Sequence, residues 1–372
     1  MQYYSFRERF LLNGHVFLGL MRCVMIERLK IERFKSVRSL DIDCRRINLF
    51  IGDPNVGKSN ILEALGLLSF SGSPNVAFRE FVRFQTMQHI FYDCLTDKPI
   101  RIDFSGAFPG QEPTKIALNV QGKIQERIVG NEVTVKLEKD KFIFRTSDPK
   151  APDIAHLNYN GDRSGLVQRI LKRYQPIKYY RYKSLIIFNS HDPSALIPPN
   201  GNNMFSVVFG SQVLREKFVS LFEPYGLMAV MKPQTREFAI QKHEGGIVTE
   251  FPYESVSDTL QRVMFYEAAM VSNKDAVLVF EEPEAHAFPF NTKHLGEQMA
   301  LDETNQYFIA THNPYLLSAV VEKANKDEVG VFITYWENHE TKVKMLTGDE
   351  LSRLMDADPF LSIESLLRGE GE

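Results

Sequence analysis

The sequence predicts an α/β fold with a mainly parallel central sheet, and three short segments predict it. INLFI (47–51), AVLVF (276–280) and YFIA (307–310) are continuous apolar runs. Such runs mark strands buried on both faces by flanking helices. Each ends in a polar stretch: GDPNVGKS (52–59), EEPE (281–284) and THNP (311–314). The 372 residues, formal net charge of −3 and 44% hydrophobic content are those of an ordinary globular chain, long enough for one elaborated domain or two lobes. No apolar run approaches the length of a membrane span. The first apolar patch is broken by Asn13, Gly14 and His15, which makes a poor signal peptide. Cys23, Cys44 and Cys94 show neither metal nor disulfide spacing and read as reduced thiols of a cytosolic protein. The net charge does not advertise nucleic-acid binding, although a local basic patch is compatible with it.

In chain order, residues 1–24 read as an upstream-start extension or a loosely attached tail, with a docking helix as the alternative; Met25 opens a fresh segment. Residues 26–43 alternate as an antiparallel hairpin, with Ile26, Leu29 and Ile31 leading out and Leu40 and Ile42 leading back. After the 47–51 strand and its glycine-bearing loop, Ile61, Leu62, Leu65 and Leu68 repeat at helical spacing. A Ser/Gly/Pro loop at 69–74 precedes a helical or irregular piece carrying Phe78, Phe81 and Phe84. IRIDFSG, KIALNV, EVTVKL and KFIFRT, between 100 and 146, read as an antiparallel β-layer, and 149–161 as a loop or linker. Residues 166–174 and 205–222 read as helical. The basic-aromatic run KYYRYK (178–183) either grips a nucleic-acid backbone or forms a strand with one wet face. No heptad run is long enough for a coiled-coil arm. Residues 329–346 read as closing strands, and 347–372 as a short helical tail carrying Leu351, Leu354, Met355, Leu361 and Leu366. The expected organisation is a 1–24 extension, a 25–346 domain (25–150, 151–270 and 271–346) and a 347–372 tail.

The loop at 52–59 carries the clearest chemistry. Strand, glycine-bearing loop and helix are the context a phosphate-binding loop requires. Gly52 and Gly57 permit torsions and close approaches that a Cβ blocks. Around Asp53, Pro54, Asn55 and Val56, and into the helix at Asn60, successive N–H groups can point into an anion nest at a helix N-terminus. Lys58 can reach β- and γ-phosphates, and the Ser59 hydroxyl can ligate Mg²⁺. Glu281 and Glu282 close an apolar strand; in a chain with such a loop, the first carboxylate holds Mg²⁺ through water and the second orients or deprotonates an attacking water. His312, at the end of the next apolar strand, can donate a hydrogen bond to a γ-phosphate.

The ordered set GDPNVGKS, EEPEAH and THNPYLL resembles the ABC-type ATPase heads of the RecF/SMC/OLD group, within it the compact AAA-family ATPases without coiled coils. FKSVRSLDI before the loop and PPNGNN at 198–203 add to the likeness, which spans roughly 26–345. The resemblance implies a P-loop NTPase fold: a doubly wound ABC-type head with a mainly parallel sheet, an N-terminal antiparallel β-subdomain and a helical lobe. It implies ATP and Mg²⁺ as cofactors, a Q-loop glutamine at Gln85 or Gln88 beside the metal, and an adenine contact near Lys35 or Ser36. It implies a head-to-tail homodimer in which Ser257, in SVSDTLQR, meets the γ-phosphate in trans. Two departures stand out: Thr259 replaces the usual glycine after the signature Ser-Asp, and Glu281 replaces the commoner aspartate. Both point to slow, regulated turnover. With no arms and no room for a Toprim nuclease, the resemblance implies a separate effector protein and no membrane. The expected function is an ATP-dependent dimerisation switch in a DNA-linked process such as repair, maintenance or defence. The alternative is an ATP-gated scaffold that binds a partner protein.

Overall fold

The computed structural model describes residues 24–73, 76–107, 133–138, 140–146, 153–163, 175–185, 188–356 and 363–368, with short strand fragments inside 10–17 and 117–125. The fragments β1 (Phe10–Leu12) and β2 (His15–Phe17) pair antiparallel. β3 (Met25–Phe34) and β4 (Val37–Asp43) form the expected hairpin. β5 (Ile47–Ile51) leads through the glycine loop into α1 (Lys58–Ser71), and α2 (Phe78–Phe81) is a single turn. β6 (Ile100–Ala107), the fragments β7 (Ala117–Leu118) and β8 (Ile124–Gln125), β9 (Val133–Glu138), β10 (Lys141–Thr146), β11 (Ala155–Leu157) and β12 (Ile177–Tyr180) follow. Then come α3 (Met204–Gly210), α4 (Gln212–Ser220), β13 (Met228–Lys232), β14 (Glu237–Glu244) and β15 (Ile247–Pro252). α5 (Asp258–Ser272) precedes β16 (Val277–Glu281), α6 (Pro289–Leu301), β17 (Gln306–Ala310) and α7 (Pro314–Lys323). β18 (Val329–Glu337), β19 (Glu340–Met345), α8 (Gly348–Asp356) and α9 (Ile363–Arg368) close the described chain.

The central sheet has the order β12-β16-β17-β5-β18-β19, parallel throughout except for β19. Its alternation of side chains explains why the strands are apolar without interruption. Phe50, Val277, Val279, Phe308 and Phe332 point to one face, against α1 and the antiparallel sheet. Leu49, Ile51, Leu278, Phe280 and Ile309 point to the other, against α3 to α7. Phe50 stacks between Phe332, with centroids 5.1 Å apart, and Phe308, at 6.5 Å. Full burial of such a side chain contributes roughly 1.5–3 kcal/mol, so each layer is anchored on the strands that carry the loops. A second six-stranded sheet, β11-β10-β9-β6-β3-β4, is antiparallel and covers the α1 side.

Arg46, just before β5, fixes the opposite end of the sheet. Its guanidinium donates to Asp302 O at 2.6 Å and Ala300 O at 2.8 Å, and pairs with Glu328 at 2.9 Å. A cation on the last carbonyls of α6 satisfies groups the helix cannot and complements its dipole.

Several expectations need correction. KYYRYK is not a strand with one wet face: β12 joins the central sheet, and Tyr179 and Tyr180 are both fully buried, so neither ring is free to stack on a base. The expected 205–222 helix is two helices, broken at Ser211, whose hydroxyl accepts from Leu214 N at 3.3 Å as the N-cap of α4. The antiparallel sheet β13-β14-β15 has no counterpart among the expected elements. The longest described helix, α5, has 15 residues, and no described helix is long and apolar enough to cross a membrane. The expected 166–174 helix, most of KIALNV and most of 1–24 lie outside the described residues.

Candidate functional site

The loops that follow β5, β16 and β17 meet at the C-terminal ends of the parallel strands, where open α/β sheets bind ligands. Packing as well as conformation dictates the glycines of the first loop. Gly52 has φ +139°, and a Cβ there would lie 2.1 Å from Thr334 O on β18. Gly57, at φ +102°, is the left-handed N-cap of α1, and its Cβ would lie 2.0 Å from the Thr341 hydroxyl on β19. Thr341 Oγ1 donates to Val56 O at 2.9 Å and lies 2.7 Å from Ser36 Oγ. Ser36 in turn accepts from Asn60 at 2.6 Å. The start of α1 is thus tied to β19 and to the β3–β4 turn. Asp53, Pro54 and Asn55 are exposed at the lip, and Val56 is buried beneath it.

Lys58 donates to Gly52 O at 2.8 Å and Asp53 O at 2.7 Å, so its ammonium lies on the carbonyls of its own loop. Burial pushes that ammonium down to about 8, against the opposing pull of Glu282 and Asp53. A buried cation short of a full counter-charge beside a glycine cradle is what a phosphate chain fits.

Glu281 and Glu282 diverge. Burial alone would raise Glu281; the charges of Arg83 and Arg181 and hydrogen bonds from Ser59 and Tyr179 outweigh it and hold the carboxyl below its usual range. Arg83 Nη2 donates to it at 2.7 Å, Tyr179 Oη at 2.9 Å and Arg181 Nη2 at 3.1 Å. Glu282 is half exposed and lies 3.3 Å from His312 Nε2, and that hydrogen bond holds its carboxyl below the usual range. Its backbone sits at φ +43°, stabilised by a bond from its N–H to Ala310 O at 3.0 Å. A glutamate in that region costs on the order of 1–3 kcal/mol, and such strain collects at functional sites. Glu284 is buried, accepts from the Thr311 hydroxyl, and burial pushes its carboxyl up to about 7. It thereby ties the β16 loop to the β17 loop.

Among the described residues, no group of three His, Cys, Asp or Glu could hold a metal ion. The donors present are the Ser59 hydroxyl and the Glu281 carboxylate, which face one another. That set fits Mg²⁺ arriving on a nucleotide, since Mg²⁺ keeps its waters and takes one or two carboxylates plus phosphates.

Ser257 is exposed and is the N-cap of α5; its hydroxyl makes no capping bond. Nearby, Thr259 Oγ1 donates to His286 O at 2.5 Å, tying the start of α5 to the loop after Glu282. Gln85 and Gln88 are exposed, and the described contact of Gln85 is through its carbonyl, which accepts from Arg79 at 3.1 Å. In that loop it is Arg83 that touches the Glu281 carboxylate. Lys35 is turned inward onto Glu63, and Ser36 is engaged by Thr341 and Asn60. Sequence reading missed Glu63, Arg83, Tyr179, Arg181 and Thr341. Tyr179 and Arg181 lie in the basic-aromatic run at 178–183, which pointed to other roles; no motif marks Glu63, Arg83 or Thr341, and the one signal was a charged residue, Glu63, on the apolar face of α1, one turn after Ser59.

Residues 47–318 match the profile of the family described as "AAA domain, putative AbiEii toxin, Type IV TA system". No curated protein matches the chain. Among solved structures it is similar to an Smc head bound to the C-winged helix domain of ScpA, with TM-score 0.53, 15% identity, and 88% of this chain and 99% of that one covered. It is also similar to an Smc head with an extended coiled coil bound to the C-terminal domain of ScpA from Pyrococcus furiosus, with TM-score 0.51, 14% identity, and 89% and 98% covered. The family match covers most of the chain and includes all three strand-end loops, so the chain belongs to this AAA-domain family and has the P-loop NTPase fold of an ABC-type, Smc-like head.

Proposed function

We propose that the chain is a Mg²⁺-dependent ATP hydrolase that acts as an ATP-dependent dimerisation switch. The observation that carries the reading is the convergence, at one end of one sheet, of a glycine nest, a buried lysine and the Glu282–His312 pair at 3.3 Å. The loop of Gly52 to Ser59 would cradle the phosphates, with Lys58 on the β- and γ-phosphates. Bound Mg²⁺ would neutralise developing charge on the phosphates, held by Ser59 and, through water, Glu281. Glu282, ionised and half exposed, would accept the proton of the attacking water, and His312 would orient Glu282 and report the γ-phosphate. Ser257 stands free at a helix N-terminus, where hydroxyl and N–H groups suit the phosphate of a second copy. ATP would then favour the closed dimer through contacts that ADP lacks, and hydrolysis would release it.

Glu282→Gln tests this. ATP should still bind, turnover should fall by about 10²–10⁴, and a nucleotide-stabilised dimer should appear by size exclusion. Unchanged turnover would refute the base assignment.

We place the switch in a DNA-linked process with a separate effector protein. One observation favours the second reading, an ATP-gated scaffold for a partner protein: in the basic-aromatic run at 178–183, Tyr179 and Tyr180 are in the core and Arg181 is engaged on Glu281. The similar Smc heads are seen bound to domains of ScpA, a protein partner. DNA affinity measured against salt, with and without ATP, separates the readings; a salt-independent absence of binding removes the DNA role.

A further inference from the structure

Glu63 and Glu281 are joined by two arginines. Glu63 lies on α1 with a fully buried side chain and accepts from Lys35, from Arg83 through Nε and the backbone N–H, and from Arg181 at 3.4 Å. Arg83 and Arg181 each extend a second contact to Glu281, at 2.7 Å and 3.1 Å. Tyr179 and Ser59 complete its shell. Both carboxylate oxygens of Glu281 are therefore occupied, and two of the occupants are cations. A divalent ion brought to Glu281 meets like charge at contact distance, which excludes it while the guanidiniums stay.

We propose that Arg83 is a latch that closes Glu281 to divalent cations until nucleotide phosphate arrives. This rests on the reading of Glu281 as the cation-holding carboxylate. Arg83 is the member placed to move: its side chain is 52% exposed against 26% for Arg181, and it lies in the loop just after α2. It touches Glu281 through its tip, whereas Glu63 holds its Nε and its backbone N–H, so the tip can swing with the base anchored. The charges favour the exchange. Lys35, Arg83 and Arg181 face two carboxylates, Glu63 and Glu281, which leaves one positive charge for an anion to neutralise. A phosphate at the glycine nest competes for the Arg83 tip and frees Glu281, and so makes cation binding at Glu281 depend on bound nucleotide phosphate.

The test is Mn²⁺ binding to the nucleotide-free full chain, read as loss of the free Mn²⁺ electron paramagnetic resonance signal. Wild type should bind weakly. Arg83→Ala should bind at least tenfold more tightly, and adding Glu281→Gln to it should abolish the gain. Arg83→Lys keeps a charge for Glu63 without the second arm; it should show the same direction, and it carries the test if the alanine variant does not fold. Wild-type affinity in the folded variants, tight wild-type binding, or a gain that survives Glu281→Gln overturns the latch. Wild-type binding of a fluorescent ATP analogue is measured in parallel; its absence would sink the ATP reading while leaving the Mn²⁺ comparison to decide the latch.

Discussion

Glu284→Gln should stabilise the protein in a pH-dependent way. The carboxyl is 5% exposed, one oxygen accepts from Thr311, and the other, Oε2, has no hydrogen-bond partner. Burial raises its pKa from 4.5 to about 7. The folded chain therefore holds a proton that the unfolded chain has released between those values, and stability falls as pH rises through that window. Below the unfolded value both states carry the neutral acid and the penalty vanishes. Above about 7 it levels off near 3 kcal/mol, since each pH unit between the two values costs about 1.4 kcal/mol. The amide keeps the acceptor for Thr311 and cannot ionise, so the variant escapes the penalty. An unfolding entropy of about 2.1 cal/mol/K per residue gives roughly 0.8 kcal/mol/K for 372 residues, so the plateau is worth about 4 °C in Tm. Differential scanning calorimetry of both proteins from pH 4.5 to 8.5 checks this. The curves should meet at the acid end and separate toward neutrality. A pH-independent difference, or a separation that shrinks with rising pH, would show that Glu284 is not a buried acid straining against ionisation.

Lys58 gives a second pH signature. Its ammonium is lowered to about 8 by burial, and a phosphate partner would raise it again, so ATP binding near pH 9 should take up a proton and weaken with further rise in pH. Isothermal titration in two buffers of different ionisation heat measures the uptake, and none at pH 9 sinks the assignment. Thr341→Val removes the donor to Val56 O and the contact with Ser36; it should cost roughly 1–3 kcal/mol in denaturant unfolding and weaken ATP binding without touching the ligand. Unaltered ATP affinity would show that the loop holds its shape without β19. Gly57→Ala should destabilise the chain and abolish ATP binding, because its Cβ would lie 2.0 Å from Thr341 Oγ1 at φ +102°; a folded variant that binds ATP normally would refute the close-approach account.

The sequence by itself determined three strands of the parallel core, β5, β16 and β17, the loop before α1 and the order of the three strand-end motifs. It could do so because each is local. A five-residue apolar run needs burial on both faces, and glycines before a lysine and a serine encode a loop shape within eight residues. It likewise placed Glu281, Glu282 and His312 at strand ends, and the parallel pairing of β16, β17 and β5 then brought those ends together. Tertiary structure decided the rest. Tyr179 and Arg181 read as one alternating strand whether that strand is wet or buried; only its pairing with β16 put Tyr179 in the core and Arg181 on Glu281. Arg83, in the loop after α2, and Glu63, on α1, are charged residues of common types far from Glu281 in the sequence, Arg83 by 198 positions. Periodicity reports which way a side chain faces, not which distant charge it meets. The partners of Glu281, and hence the state in which its carboxylate waits, follow from how the α1 layer closes on the sheet.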